Sequence, residues 1–351
     1  MTKLAFLFLF LISSCSQISY LTEQGFSQLK LQWSGVENSE LMKDPKVDAE
    51  TKRKIKLIEE YKKFFYAYFQ KSETSIYTKT SVLEQEAVTY LLIASPHTSI
   101  SAHEFNFPFF GSFPYLGFFS KQSALNYAER LAKKGLVTWI RPVYAYSTLG
   151  YLEDRILSSF FYYSDLDLAE LIFHELFHTI FFIRDDVDLN ENLANYFGKE
   201  LVKIYFKDDP RLVEYEKSLG HEKKVASKIV TMIELLEGEF KKFDGQLTDS
   251  MADQLTKDFI EGTFIPQMRD FCSKEHIDAK ICMSETDWNQ ARFAAFLTYE
   301  EKQDEISDIQ AHLKLAPRDF YGWLEKEKEL IRKKDKEELN FIKYFNERVK
   351  K

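Results

Sequence analysis

Residues 168–181 form a largely apolar run that contains His174, Glu175 and His178. An α-helix puts residues four apart on one face, so both imidazoles can converge on one metal ion while Glu175, beside the first, reaches a water there. Leu168, Leu171, Ile172, Leu176, Ile180 and Phe181 supply the apolar periodicity, and no residue in the run breaks a helix. A random match to this pattern in such a chain arises on the order of 1% of the time. Two buried histidines can also be satisfied core residues. Burying His, Glu and His together without a cation, however, costs roughly a few kcal/mol in unmet polar groups.

A catalytic zinc usually takes three protein ligands and a water. Glu191 follows His178 by thirteen residues, on what reads as the next helix through Leu189, Leu193, Phe197 and Leu201. Asp185 and Asp186 compete with it as ligands. Asp188-Leu189-Asn190-Glu191 also fits a capping box, in which Glu191 would do no more than close a helix start. Glu191 is the preferred third ligand, because a helix antiparallel to the first can aim one side chain at the metal. Asn195, one turn on, is either a hydrogen-bond partner of a ligating imidazole or a surface amide.

Of 351 residues, 32 are Phe, against 12 Gly and 8 Pro, which favours long helices over turn-dense β architecture. The expected fold is α+β and predominantly helical, with a small sheet before the metal helix. An amphipathic helix is expected over 52–70, where Ile55, Ile58, Tyr61, Phe65 and Phe69 recur at helical spacing. A helix over 123–134 closes at Gly135, and a strand runs from Leu136 to Ser147. From Asp165 onward the pattern is helical, with a Lys/Glu-rich C-terminal helix from about Tyr321. The Phe clusters read as core. His97, His103, His221, His276 and His312 lack metal-ligand spacing. The formal charge of -8, with both signs interspersed, offers no basic surface for nucleic acid.

The N-terminus carries Lys3 and then the unbroken apolar run Leu4 to Ile12. Nine helical residues rise only ~14 Å, too short to span a bilayer but the size of a signal-peptide core. Ile12-Ser13-Ser14-Cys15 resembles the lipobox of bacterial lipoproteins, which makes 1–14 a signal peptide and Cys15 the acylated first mature residue. Ser16 rather than Asp after that cysteine favours the outer membrane, facing the periplasm. Removing Cys15 leaves Cys272 and Cys282, an even count for an exported chain; a bridge between them would contribute roughly 3 kcal/mol. The mature chain 15–351 reads as one peptidase domain: a helical part 15–93, an α/β part 94–164, the metal helices 165–207 and a helical part 208–351.

The stretch Ala145-Tyr146-Ser147-Thr148-Leu149-Gly150, then Asp154, Leu157, Leu171 to Leu176, His178 and Asn190-Glu191, resembles the zinc aminopeptidase family of predicted bacterial lipoproteins. The likeness extends to Tyr20, Gln24-Gly25 and Gln28-Leu29, to Gly111, Pro114-Tyr115 and Gly117 to Phe119, and to Asn289, Ala291-Arg292 and Tyr299. It implies a zincin-like fold with Zn²⁺ on His174, His178 and Glu191, and Glu175 as catalytic acid/base. Arg155 departs from the family's usual Pro after Asp154.

On this reading the protein hydrolyses peptides, with a peptide substrate and a membrane tether as its partners. In zincins an edge strand before the metal helix aligns the substrate. Here that is Pro142 to Leu149, with Tyr146 as a candidate phenolic donor to the oxyanion. Glu153, Glu170, Asp185 and Asp186 are equal candidates for holding a substrate amine. The rivals are an endopeptidase with the same zinc centre and a non-catalytic envelope scaffold. A closed structural zinc normally has four ligands, often Cys; three are visible here and none is Cys.

Overall fold

The computed structural model describes residues 20–348 except 28, 32, 108–110, 145–153, 184–186, 283–286, 301–302, 333–343 and 346. Residues 1–14, where a signal peptide is expected, and Cys15, Tyr146, Glu153, Asp185 and Asp186 therefore lie outside the described residues. The fold is α+β and predominantly helical, as expected.

Helical residues 20–27, 29–31 and 33 make α1. There follow β1 (Val36–Glu37), α2 (Asn38–Lys43), α3 (Ala49–Phe69), β2 (Lys79–Ser81), β3 (Thr89–Pro96), β4 (Phe105–Phe107), β5 (Gly111–Phe113) and β6 (Leu116–Phe118). Then come α4 (Lys121–Ala132), β7 (Leu136–Val143), β8 (Ile156–Leu157), α5 (Asp165–Ile180), α6 (Val187–Tyr205), α7 (Arg211–Lys241) and α8 (Asp249–Phe259). A π-helical turn, Ile260–Phe264, leads into α9 (Ile265–Lys274), followed by α10 (Gln290–Glu300), α11 (Gln303–Leu313) and α12 (Pro317–Arg332). The chain divides into two compact units: Met1–Ser34, Gln85–Tyr144 and Glu216–Glu300 in one, Gly35–Glu84, Ala145–Tyr215 and Glu301–Lys351 in the other. Each unit thus draws on three separate segments and cuts across the four successive parts expected from the sequence.

The first unit holds the sheet β6-β3-β7, antiparallel throughout, in register from Thr89↔Val143 to Pro96↔Leu136. Pro142 sits in β7, where an edge position spares the sheet a missing N–H. Helix α4 covers this sheet with Ala124, Ala128 and Leu131. It starts two residues earlier than expected, because Ser120 Oγ accepts from Ser123 N, and Gly135 follows it at φ +78°. A second core joins Ile229, Met232 and Leu236 of α7 to Phe264, Met268 and Phe293. The Cys272–Cys282 bridge is present beside it, with the Cα atoms 5.9 Å apart.

The second unit holds the sheet β1-β2-β8, in which β1–β2 is antiparallel and β2–β8 parallel. Helix α3 buries Ile55, Ile58, Tyr61, Phe65 and Phe69, the stripe legible in the sequence, and Asp48 caps it by accepting from Thr51 N. Those side chains meet α5: Tyr61 and Phe65 pack on Phe173, and Phe69 on Phe177. Helix α12 starts at Pro317, four residues before the expected Tyr321, since proline is pre-set for a first helical position.

One ionic cluster fixes the start of α5. Arg53 Nη1 and Nη2 donate to both oxygens of Asp165 at 3.1 and 2.9 Å, Lys54 Nζ at 3.0 Å and Arg211 Nη1 at 3.2 Å. The Arg53 bonds, joined by Lys54 and Arg211 and opposed by burial, hold the Asp165 carboxyl well below the usual range. Its folded pKa lies below the unfolded value of about 3.9, so its stabilisation is complete above that value and lost as pH falls through the folded one. Asp165→Asn should cost about 2 kcal/mol at neutral pH, since Lys54 then loses its ionic partner. The gap between variant and wild type should begin to narrow below about pH 4 and close only once pH has fallen past the folded value, in denaturant titrations. A gap that persists there would assign the loss to packing.

Candidate metal centre

Helix α5 opens on Ser164, whose Oγ accepts from Asp167 N, and carries Asp165 and Asp167 in its first turn, where the helix dipole favours anions. Most of its apolar face is buried: Leu168, Ile172, Phe173, Leu176 and Phe177 are fully covered, and Leu171 and Ile180 partly. Glu175 and His178 are buried as well, and His174 faces the neighbouring helix α6.

Four donor atoms of three side chains from the two helices converge. His174 Nε2 and His178 Nε2 are 3.3 Å apart; Glu191 places Oε2 at 3.3 Å from the first and Oε1 at 3.4 Å from the second. Tetrahedral ligands about 2.0–2.1 Å from one ion lie about 3.3–3.4 Å from each other, so this spacing fits a cation of zinc's size. The ligand atoms of His174, Glu175 and His178 also lie within 4.8 Å of one another, which places the Glu175 carboxylate beside the same point. The exposure is graded: the side chain of His178 is 1% exposed, His174 15% and Glu191 45%, so the cluster is reached from the Glu191 side.

The electrostatics suit metal ligation. Burial, then the neighbouring His174, pulls His178 down to about 4, so it is neutral at pH 7 with a free lone pair. Burial also pulls His174 down, but the Glu191 hydrogen bond, the charges of Glu175 and Glu191, and a bond to Asn195 outweigh it and leave it raised. Glu191 is pushed up by burial and brought down further by its bond to His174. Two imidazoles and a carboxylate thus share one small space, and a divalent cation would satisfy all three.

Helix α6 begins at Val187, and Glu191 on it contacts both histidines. Asn195 hydrogen-bonds His174, so it is not a free surface amide. Of the candidates for the substrate amine, Glu170 is engaged by Tyr215, whose hydroxyl donates to Oε2 at 2.5 Å.

Three contributors were not singled out in the sequence for their roles here. Asn190 is buried, accepts from Ile183 N at 2.8 Å and donates to Ile183 O at 2.7 Å, which clasps the connection between α5 and α6. Tyr77 is buried with φ +62°, and burial, then the charges of Glu175 and Asp154, pushes its phenol well above the usual value. Its backbone is held in that conformation by Asp154 O, which accepts from Tyr77 N at 2.8 Å, and by Asn38 Nδ2, which donates to Tyr77 O at 2.9 Å. At Gly198 a Cβ would stand 3.1 Å from Glu170 O and 3.5 Å from His174 Cβ, so α6 passes α5 at the first histidine. Glycine at i+3 from Asn195 and i+7 from Glu191 is the one signal that pointed there.

The family described as "Putative aminopeptidase" matches residues 19–342, nearly the whole chain, and the protein belongs to it. That family places it among peptide hydrolases. No curated protein and no solved structure matches the chain.

The close approach at Gly198 is testable. Gly198→Val should destabilise by about 1–3 kcal/mol through overpacking and loosen the spacing of the three donors, read as weaker metal retention against a chelator. Gly220→Ala, where an added Cβ meets nothing within 4 Å, should instead stabilise by about 0.5–1 kcal/mol. Equal behaviour of the two variants would remove the helix contact as the cause.

Proposed function

We propose that the protein is a zinc-dependent peptide hydrolase, an aminopeptidase, with zinc held by His174, His178 and Glu191. The reading is carried by two imidazole nitrogens 3.3 Å apart, one 3.3 Å and the other 3.4 Å from an oxygen of the Glu191 carboxylate. Bound there, zinc supplies Lewis acidity, polarising a carbonyl and lowering the pKa of water to about 7. Glu175 is adjacent in sequence to His174 and beside the donor cluster in space, so it serves as base and acid. It takes the proton of the attacking water at its carboxylate and delivers it to the departing amine nitrogen. Asn195 fixes the ring of His174, and burial keeps His178 neutral and ready to bind. Three ligands with a solvent-facing side suit a working metal better than a closed structural one.

His174→Ala, His178→Ala and Glu191→Ala should each lose most of the bound zinc, measured by metal analysis of the purified chain. Glu175→Gln should keep zinc and fold while peptide hydrolysis falls by ~10²–10⁴-fold. Turnover equal to wild type would refute the mechanism. N-terminal acetylation of short substrates should abolish cleavage by the wild type; internal cuts in blocked peptides would make it an endopeptidase. Zinc content that is equal in the wild type and all three ligand variants would overturn the site.

The same proposal places the enzyme at the bacterial envelope, acylated on Cys15 and facing the periplasm. No helix among the described residues is long and apolar enough to cross a membrane, so the tether would be the lipid. Cys15→Ser should move the protein from the membrane fraction to the periplasm or stop its processing; a variant still processed and membrane-bound would place the anchor elsewhere.

A further inference from the structure

Helix α1 has two faces of opposite character. Tyr20 and Gln24 bind the rest of the first unit, and the half-buried Leu31 follows them in helical phase: Tyr20 OH donates to Gly117 O at 2.8 Å, and Gln24 Oε1 accepts from Phe119 N at 3.0 Å. The Tyr20 ring also packs edge-on against Phe118. At 3.6 residues per turn those three positions span about 40° of the helix, and Phe26, Leu29 and Trp33 span about 60° on the opposite side. That opposite side carries Thr22 and three large apolar side chains in water: Phe26 is 67% exposed, Leu29 48% and Trp33 76%. A soluble helix normally shows solvent the reverse pattern, polar outward and apolar inward. Here the docking face is made by hydrogen-bonding side chains and the large apolar residues point away from the protein.

We propose that this face lies in the headgroup region of the lipid bilayer, as a second membrane contact beside the acyl anchor. The proposal rests on the reading of Cys15 as acylated, and three observations favour lipid as the occupant. Cys15 precedes Tyr20 by five residues, so even a fully extended chain keeps the helix start within about 17 Å of the acylated residue. Phe26, Leu29 and Trp33 lie in line over about 10 Å of helix, which suits a helix lying flat in the interface. Tryptophan and phenylalanine are the side chains an interface accommodates best, and Trp33 is the most exposed of the three. The contact fixes which side of the first unit faces the bilayer.

The test uses the acylated protein in vesicles of phosphatidylethanolamine and phosphatidylglycerol, with and without bromine on the acyl chains. Trp33 fluorescence should shift to the blue in vesicles and be quenched by the brominated lipid, and Trp33→Phe should remove that quenched component. Phe26→Glu with Leu29→Glu should lower Trp33 quenching by more than about threefold while acylation and vesicle association persist. Mass spectrometry of the N-terminal peptide reads acylation separately. If acyl chains are present and Trp33 emission is the same with and without vesicles, the helix proposal is overturned and the anchor stands. If they are absent, the anchor reading fails, and quenching of Trp33 in protein added to preformed vesicles decides the helix. Copy-to-copy crosslinking through Leu29→Cys without any lipid quenching would assign the face to self-association and overturn the membrane contact.

Discussion

The contact on which the site depends is the close passage of α6 across α5 at Gly198. A Cβ there would press on Glu170 O at 3.1 Å while touching His174 at ordinary contact distance, and the helices would have to part by a few tenths of an ångström. Everything that meets His174 from α6 sits on that same face. Glu191 comes two turns before the glycine and Asn195 one turn before it, so the distance between the helices sets the distances from both to the imidazole. Donor spacing near 3.3 Å tolerates little movement, because a metal bond a few tenths of an ångström too long is largely lost.

Behind this polar seam the two helices are held by aromatic packing. Phe177 and Phe197 stack at 4.3 Å between ring centres, and Phe69, Phe181, Phe320 and Tyr321 surround them. Each of the stacked pair is next in sequence to a site residue, Phe177 to His178 and Phe197 to Gly198. The rigid wall and the metal donors thus share backbone, which limits the freedom of the donors without any direct bond to them. The ionic cluster on Asp165 and the Asn190 clasp on Ile183 fix the two ends of α5. The abundance of Phe is accounted for here: it fills the space between helices that carry polar side chains at their contact.

Some residues that the family resemblance marks outside the metal motif, Tyr20, Gln24, Asn289 and Arg292, serve the fold of the first unit. Tyr20 and Gln24 tie α1 to Gly117 and Phe119, and Asn289 Nδ2 donates to Thr138 O on β7 at 3.1 Å. Arg292, two residues after a helix start, lies over the rings of both Trp139 and Trp288. These are bonds between segments far apart in sequence, and they hold a unit assembled from three separate pieces of chain.

The sequence by itself determined what depends on local periodicity. His174 and His178 had to share a helical face, Glu175 had to flank it, and Ile55 to Phe69 had to form a buried stripe. Cys272 and Cys282 were each other's remaining partners once Cys15 was set aside. Tertiary structure decided what depends on two helices meeting. A capping glutamate and a ligand glutamate look alike at position 191, and the histidines that Glu191 meets lie on the other helix. Asn195 was a ligand's partner or a surface amide until the helices were placed side by side. Gly198 and Tyr77 drew no attention, because a glycine without a turn and a tyrosine with positive φ acquire meaning from neighbours distant in the chain. Spacing along one helix is a property of the backbone, readable residue by residue. Convergence between helices is a property of packing, and no single segment contains it.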